Sequence, residues 1–323
     1  MGEGKPKILP FNTFVTMQIT ALFGCGLTFL SIRILETYGL MLFIGIPFFI
    51  GFLSLFLNSP GLDKSKGQIA SVAAGGVFLM CLYMFLFAID GAICIILLMP
   101  LAFFSAMLGV AVAHLIASRF KGDKSNNISI LIVLILTPAL LGFEAHIDPR
   151  PPLRKIITSV EVDADIEKVW DLVVEFPEIS PPDELMFNLG ISYPINARID
   201  GEGEGAIRFC NFSTGSFVEP ITKWQKPTLL QFDVKVSPEP MKETSIYANL
   251  QTPHLHDIVS SEKGQFRLVV LDSGKTLLEG TTWYRHDMWP NWYWGPISDE
   301  IIHTIHRRVL NHIKVCAEQT VKE

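Results

Sequence analysis

Residues 155–176 read KIITSVEVDADIEKVWDLVVEF, and their pattern predicts a strand followed by a helix at the start of the C-terminal half of the chain. The part 155–162 is rich in β-branched residues and partly alternates apolar with polar positions, which predicts a strand. Asp163-Ala-Asp165 then gives an N-cap signal for a helix over 166–176. The apolar residues of that helix recur at helical spacing and predict one buried face, made of Ile166, Val169, Trp170 and Val173.

Towards the C-terminus, turns rich in glycine and proline separate further segments with strand composition. The predicted strands are 191–199, 206–212, 217–224, 228–236, 265–271 and 276–286. The polar stretch 237–263 is predicted to form a loop or lid. In 297–319, apolar residues follow one another at spacings of three and four, which predicts a long amphipathic helix with Ile302, Ile305, Val309, Ile313 and Cys316 on one side. Successive strands with helices set apart predict an α+β domain, and a sheet closed by a long helix leaves a cavity suited to an apolar ligand.

Residues 154–320 resemble the START-like, or SRPBCC, superfamily. Three segments carry the resemblance: 157–173 (ITSVEVDADIEKVWDLV), 219–234 (EPITKWQKPTLLQFDV) and 275–284 (KTLLEGTTWY), which is followed by the final helix. The resemblance implies a helix-grip fold, in which a curved antiparallel sheet surrounds a long C-terminal helix. Members of the family bind lipids, sterols or polyketides in the cavity, and some of them are enzymes. The expected partner is therefore a lipid or another apolar small molecule.

The N-terminal half has the composition of a membrane region. Five stretches without Asp, Glu, Lys or Arg are long enough to cross a bilayer, which takes about 20 residues. They are 11–32, 38–57, 67–89, 91–118 and 126–143. A cleaved signal peptide is the alternative for the first stretch, but no clean small-residue cleavage site precedes Arg33. We therefore predict a transmembrane domain over 1–147, a proline-rich linker over 148–153 and an integral, multi-pass protein of an inner or plasma membrane.

The distribution of basic residues predicts the orientation. With the N-terminus inside, more Lys and Arg residues lie on the inner side than on the outer side, as the positive-inside rule favours. Five spans then place the C-terminal domain on the periplasmic or extracellular side. Losing the weakly apolar first span would reverse this orientation.

The charge balance excludes one class of partner. Residues 1–150 hold nine of the 26 basic and seven of the 32 acidic residues, so the C-terminal half has an acidic excess. Nucleic-acid binding requires a basic surface, and we expect none here. We also predict no cofactor and no metal ion. The five cysteines are too scattered for a disulfide framework, although Cys210 and Cys316 are either a pair or two buried thiols.

Candidate ligand-binding residues follow from strand alternation. Arg208, Cys210 and Phe212 share one face of a predicted strand. If that face lines the cavity, Arg208 could bind an anionic head group; if it faces water, Arg208 is an ordinary surface charge. Cys210 as a nucleophile would need a neighbouring base.

The remaining candidates are residues that could reach the same cavity from other segments. They are Phe232, Tyr247, His254, Tyr284, Trp292, Ile305 and Val309. His254 and His256 could form half a metal site, or they belong to a polar loop. His303 and His306 are interpreted as part of the polar side of the last helix. The aromatic segment around Trp292 either packs in the core or touches the bilayer or the ligand.

Three functional hypotheses remain. The first is membrane-anchored binding or transfer of a lipid or other hydrophobic molecule. The second is a cyclase-like or hydratase-like enzyme, which requires at least two of Arg208, Tyr247, His254, His256 and Tyr284 to converge in the cavity. The third is a sensor or interaction module with an unidentified protein partner. No catalytic residue is assigned.

Overall fold

The computed structural model describes residues 13–58, 66–119, 123–146, 152–242 and 259–319. The chain forms two compact units, which are described separately. In the first unit, the described residues form the helices α1 (Thr13–Phe29), α2 (Ile46–Asn58), α3 (Lys66–Leu86), α4 (Ala92–Arg119) and α5 (Asp123–Glu144). π-Helical turns at Leu30–Ile34 and Met41–Gly45 extend the end of α1 and the start of α2.

Four helical segments of the described chain are long and apolar enough to cross a membrane. They are Thr13–Ile34, Met41–Asn58, Gly67–Leu86 and Ala92–Arg119, and they correspond to the first four predicted spans. The fifth predicted span lies in α5, whose described apolar part, Ile128–Glu144, is shorter. A membrane protein is compatible with these lengths, while the number of spans and their orientation stay predictions.

Helices α2 and α4 cross at glycines. A Cβ atom on Gly51 would lie 1.9 Å from the Ala106 carbonyl oxygen, and one on Gly109 would lie 2.0 Å from the Phe48 carbonyl oxygen. Such small residues allow the backbones of two apolar helices to approach closely. Several buried hydroxyls within the helices donate to the preceding turn: Ser54 Oγ, for example, donates to the Ile50 carbonyl oxygen at 2.7 Å.

The second unit is an antiparallel sheet with a long helix packed on it. The described strands are β1 (Arg154–Val162), β2 (Pro194–Asp200), β3 (Ile207–Phe212), β4 (Gly215–Gln225), β5 (Leu229–Asp233), β6 (Val259–Val270) and β7 (Thr276–His286). The helices are α6 (Ile166–Val174), α7 (Leu185–Asn188) and α8 (Asn291–Gln319). The sheet order is β1-β7-β6-β5-β4-β3-β2, and every pairing is antiparallel. This curled sheet with its C-terminal helix confirms the predicted helix-grip architecture.

The core lies between the concave face of the sheet and the helices α6 and α8. It contains the predicted α6 residues Val169, Trp170 and Val173 together with Leu278 and Ile313, all of them buried. Asp165 occupies the cap position of α6 with an extended backbone, but its side chain makes no capping hydrogen bond. The glycine segment after β2 is a hairpin turn, because Gly201, Gly203 and Gly205 all adopt positive φ angles of 85–90°.

Three boundaries differ from the prediction. Strand β6 begins at Val259, so the end of the predicted loop 237–263 is a strand; residues 243–258 of that loop lie outside the described residues. The predicted strand 228–236 is shorter in the structure, because β5 ends at Asp233, and Val236 is exposed. Helix α8 begins at Asn291 and contains Pro296, a residue that interrupts helical hydrogen bonding and so hides the helix start in the sequence.

Candidate functional site

A cavity of about 120 Å³ lies between the sheet and α8. Its apolar wall comes from strands β3–β6 and from α8, and consists of Phe212, Phe217, Phe232, Val234, Phe266, Ile302, Ile305, Val309 and Leu310. The polar residues at the wall are Arg208, Glu219, Ser261, Lys263, Gln265, Thr281, Thr282 and His306. An apolar cavity of about 150 Å³ can hold benzene. The cavity of this protein therefore fits one small ring or a short branched chain without rearrangement.

Arg208 is the most deeply buried charge at the cavity, with 1% of its surface exposed. It lies on β3 directly opposite Glu219 on β4, and its Nη1 atom donates to Glu219 Oε2 in an ion pair. Its Nε atom donates to the Val174 carbonyl oxygen at 3.2 Å. The guanidinium also lies 5.5–5.7 Å from the ring centres of Phe176, Phe232 and Phe266. The surface-charge interpretation of Arg208 is therefore wrong.

The third nitrogen of this guanidinium, Nη2, differs from the other two in its hydrogen bonding. Within the part of the chain that the structure describes, Arg208 Nη2 is buried and has no nitrogen or oxygen partner; the Cys210 thiol, a weak acceptor, lies beside the guanidinium. A buried donor without a partner costs about 1–3 kcal/mol. This atom is therefore a strong candidate for a contact with a ligand.

Burial governs the protonation of the neighbouring groups. Desolvation raises the pKa of Glu219, although the Arg208 guanidinium opposes this shift. Desolvation also raises the pKa of the Cys210 thiol to about 12. Cys210 lines the cavity, but as a protonated thiol it is a poor nucleophile at neutral pH. Cys210 and Cys316 are not joined by a disulfide bond.

His306 lines the cavity from α8, so its interpretation as part of the polar side of this helix is wrong. Its Nε2 atom lies 2.8 Å from Thr282 Oγ1 on β7. Its Nδ1 atom lies 3.0 Å from Thr158 Oγ1 on β1. Desolvation lowers the pKa of His306 to about 4, with a smaller contribution from His303, so the imidazole is neutral at neutral pH.

The other predicted site residues fall into three groups. The structure places Phe212, Phe232, Ile305 and Val309 at the cavity with Arg208 and Cys210. Tyr284 is fully buried outside the cavity lining and donates to Asp299 Oδ1 at 2.7 Å, while Trp292 is 66% exposed. Tyr247 and His254 lie outside the described residues, as does His256.

This placement bears on the enzyme hypothesis. The structure describes two of its five candidate acids and bases, Arg208 and Tyr284. Arg208 lines the cavity, whereas Tyr284 lies outside the lining and donates a hydrogen bond to Asp299. Among the described residues, no group of His, Cys, Asp and Glu side chains could hold a metal ion.

Of the polar cavity residues that sequence reasoning missed, Glu219 and His306 follow a recognisable pattern. Glu219 alternates with Ile221 along β4, and both side chains are buried. His306 lies four residues after Ile302 and three before Val309, which is the spacing of a single helix face. Both signals were present in the sequence, but charged and polar residue types concealed them.

No protein-family model matches the chain, and no curated protein matches it. Several solved structures resemble about half of it. The Zhui aromatase/cyclase from a Streptomyces species is 16% identical over 53% of this chain and 96% of its own, with a TM-score of 0.34. A START superfamily protein from Mycobacterium smegmatis is 13% identical over 51% of this chain and 98% of its own, with a TM-score of 0.34. A truncated norcoclaurine synthase from Thalictrum flavum is 13% identical over 52% of this chain and 95% of its own, with a TM-score of 0.31. The description of the C-terminal unit as a helix grip rests on its own sheet and long helix.

Proposed function

We propose that the C-terminal domain, residues 154–320, binds a small, neutral, largely apolar molecule in the cavity under α8. The observation that carries this proposal is Arg208 Nη2, a buried donor without a nitrogen or oxygen partner in a mostly apolar cavity the size of one ring. A ligand oxygen that accepts this hydrogen bond would satisfy the donor, while the rest of the ligand would bury apolar surface at about 25 cal/mol per Å².

The Arg208–Glu219 ion pair favours a neutral ligand over an anion. A carboxylate or phosphate would bring a second negative charge beside Glu219 in a buried site, where like charges repel strongly. An ether, carbonyl or hydroxyl oxygen accepts the same hydrogen bond without that repulsion. The proposed neutral ligand replaces the sequence-based expectation that Arg208 binds an anionic head group.

The apolar helices support a role at a membrane. We infer that residues 1–147 form a transmembrane domain of five spans, that residues 148–153 form a linker, and that the binding domain lies on the periplasmic or extracellular side. Binding or transfer of a hydrophobic molecule that partitions into the bilayer would follow from this arrangement. The orientation is tested by labelling a single introduced cysteine, Asp272→Cys, with a membrane-impermeant thiol reagent in cells. Labelling only after lysis would show that the binding domain lies on the opposite side of the membrane.

Native mass spectrometry of the full-length protein in detergent, with extraction and identification of bound molecules, tests the binding proposal. Gly280→Val is the blocking variant, because a Cβ atom on Gly280 would meet Leu310 Cδ2 at 3.5 Å, an ordinary contact that fills space without a clash. The exposed Arg307→Gln on α8 is the control. We expect one small molecule per chain in the wild type and the control, and none in Gly280→Val. Retention of the same molecule by Gly280→Val would show that it binds elsewhere.

A further inference from the structure

Four side chains form a hydrogen-bonded chain that leads away from the cavity. Thr282 Oγ1 and His306 Nε2 are 2.8 Å apart, and both residues line the cavity. His306 Nδ1 is 3.0 Å from Thr158 Oγ1, which is 2.8 Å from His303 Nδ1. His303, on α8, is not among the residues that line the cavity.

This chain can be hydrogen-bonded in two directions, because each hydroxyl and each neutral imidazole both donates and accepts. In the first direction, His303 Nδ1–H donates to Thr158, Thr158 donates to His306 Nδ1, and His306 Nε2–H donates to Thr282. The Thr282 hydroxyl then presents its proton to the cavity. In the second direction every bond is reversed, and Thr282 Oγ1 is an acceptor for a donor in the cavity.

The two directions differ in the tautomers of His303 and His306 and in the orientation of the Thr158 and Thr282 hydroxyl protons. A neutral imidazole carries its proton on either nitrogen, and its hydrogen-bond partners decide which one. The low pKa of His306 keeps this ring neutral at neutral pH, so both tautomers are open to it.

Resting on the proposed function, we infer that the cavity has a second polar contact, at Thr282, which adapts to ligand donors and acceptors, and that His303 sets its preference from outside the cavity. The ligand class that fits is a neutral ring compound that exists in a carbonyl and a hydroxyl form. Thr282 would donate to the carbonyl oxygen and would accept from the hydroxyl group, so the domain would hold both forms.

Substitutions of His303 test this inference because they fix the direction of the chain. In His303→Lys the ammonium only donates, so the Thr158 proton stays available for His306 and the first direction is favoured, in which Thr282 offers its proton to the ligand. In His303→Glu the carboxylate only accepts, so the chain reverses and Thr282 must accept. His303→Gln, which both donates and accepts, is the matched control.

The probes are small rings of opposite hydrogen-bonding character: cyclopentanone, which only accepts, pyrrole, which only donates through N–H, and benzene as the apolar reference. Affinities are measured by NMR titration of the full-length protein in detergent. We expect His303→Lys to weaken the binding of pyrrole about tenfold and His303→Glu to weaken the binding of cyclopentanone about tenfold. In each case a buried polar group of the cavity or the probe is left without a hydrogen-bond partner. The wild type and His303→Gln should bind both probes, and benzene should bind all four proteins equally.

A second set of variants separates the chain from a direct electrostatic effect. Thr158→Val removes the link between the two histidines, so Thr158→Val/His303→Lys and Thr158→Val/His303→Glu should bind both probes as the wild type does. Unchanged probe ratios in the single His303 variants would overturn the inference, although the cavity would still bind benzene. Preferences that persist in the double variants would overturn it as well. Failure of the wild type to bind any probe would instead overturn the proposed function.

Discussion

Replacing Arg208 by methionine should destabilise the C-terminal domain strongly. The substitution leaves the Glu219 carboxylate, of which 6% is exposed, without its counter-ion. Breaking a buried ion pair on one side costs about 3–5 kcal/mol. For a domain of 150–250 residues, each kcal/mol lowers the midpoint by about 2–4 °C, so we expect a decrease of about 12 °C at neutral pH.

The loss of stability in Arg208→Met should depend on pH, and the direction of this dependence follows from the pKa of Glu219. Without Arg208, desolvation acts on Glu219 unopposed and raises its pKa further. A carboxyl group whose folded pKa is raised contributes its stability below the unfolded value of about 4.3 and loses that contribution as the pH rises through the folded pKa. The deficit of Arg208→Met should therefore shrink towards acid pH and grow towards neutral pH.

The assay is the thermal unfolding of the full-length protein in detergent, followed by tryptophan fluorescence. All six tryptophans lie at or after Trp170, so this signal reports the C-terminal domain alone. Arg208→Met/Glu219→Leu removes both charges and should unfold close to the wild type. Arg307→Met, which breaks the exposed ion pair with Glu300, should change the midpoint by less than about 4 °C. A single variant as stable as the double variant, or a deficit that does not depend on pH, would refute the reasoning.

Three further outcomes are expected. Gly280→Val should abolish binding of benzene while the fluorescence midpoint stays within a few degrees of the wild type, because a Cβ at this position makes only ordinary contacts with Leu310 and Phe266. Gly51→Ala should yield aggregated protein in size-exclusion chromatography, since its Cβ would overlap a backbone oxygen of α4, whereas Gly26→Ala, with nothing within 4 Å, should elute normally. Tyr284→Phe should cost about 1 kcal/mol, the value of one buried hydrogen bond to Asp299. Burial acts to raise the pKa of Asp299, but the hydrogen bonds from Arg154 and Tyr284 lower it below its usual value. The cost of Tyr284→Phe should therefore persist above the unfolded pKa of Asp299 and fade as the pH drops through the lowered folded pKa.

Periodicity made most of the fold predictable. The strand before α6 and the last strand, β7, were predicted to within one residue, because alternation and β-branched residues agree there. The predicted face of α8 holds because Ile302, Ile305 and Val309 recur at helical spacing and meet the sheet. The start of α8 was missed, since a proline inside the first turns looks like a boundary.

The polar half of the site was less predictable, because it depends on pairings between distant segments. Alternation placed Arg208 on a face with Cys210 and Phe212, but it did not identify the ion-pair partner eleven residues later. His306 has the spacing of the apolar face of α8 and was still assigned to the polar side, since histidine is usually exposed or only partly buried. Thr158 on β1 and Thr282 on β7 provide hydrogen-bond partners for the His306 ring, and β1 is far from α8 in sequence.

Two glycines on the neighbouring strands β6 and β7 influence the size of the cavity, because they have no side chain. Gly280 on β7 lines the cavity and faces Leu310, and a Cβ there would make an ordinary contact with Leu310 Cδ2 at 3.5 Å. Gly264 on β6 is different, because a Cβ on it would lie 2.6 Å from the ring of Phe232. One glycine thus leaves room for a ligand, while the other leaves room for an aromatic ring that packs against the Arg208 guanidinium. Gly264→Ala should therefore displace Phe232 and weaken binding by disturbing the polar end of the cavity, whereas Gly280→Ala should weaken it only by the volume of one methyl group. If both variants weakened binding of cyclopentanone and benzene by the same factors, Phe232 would have no part in placing Arg208.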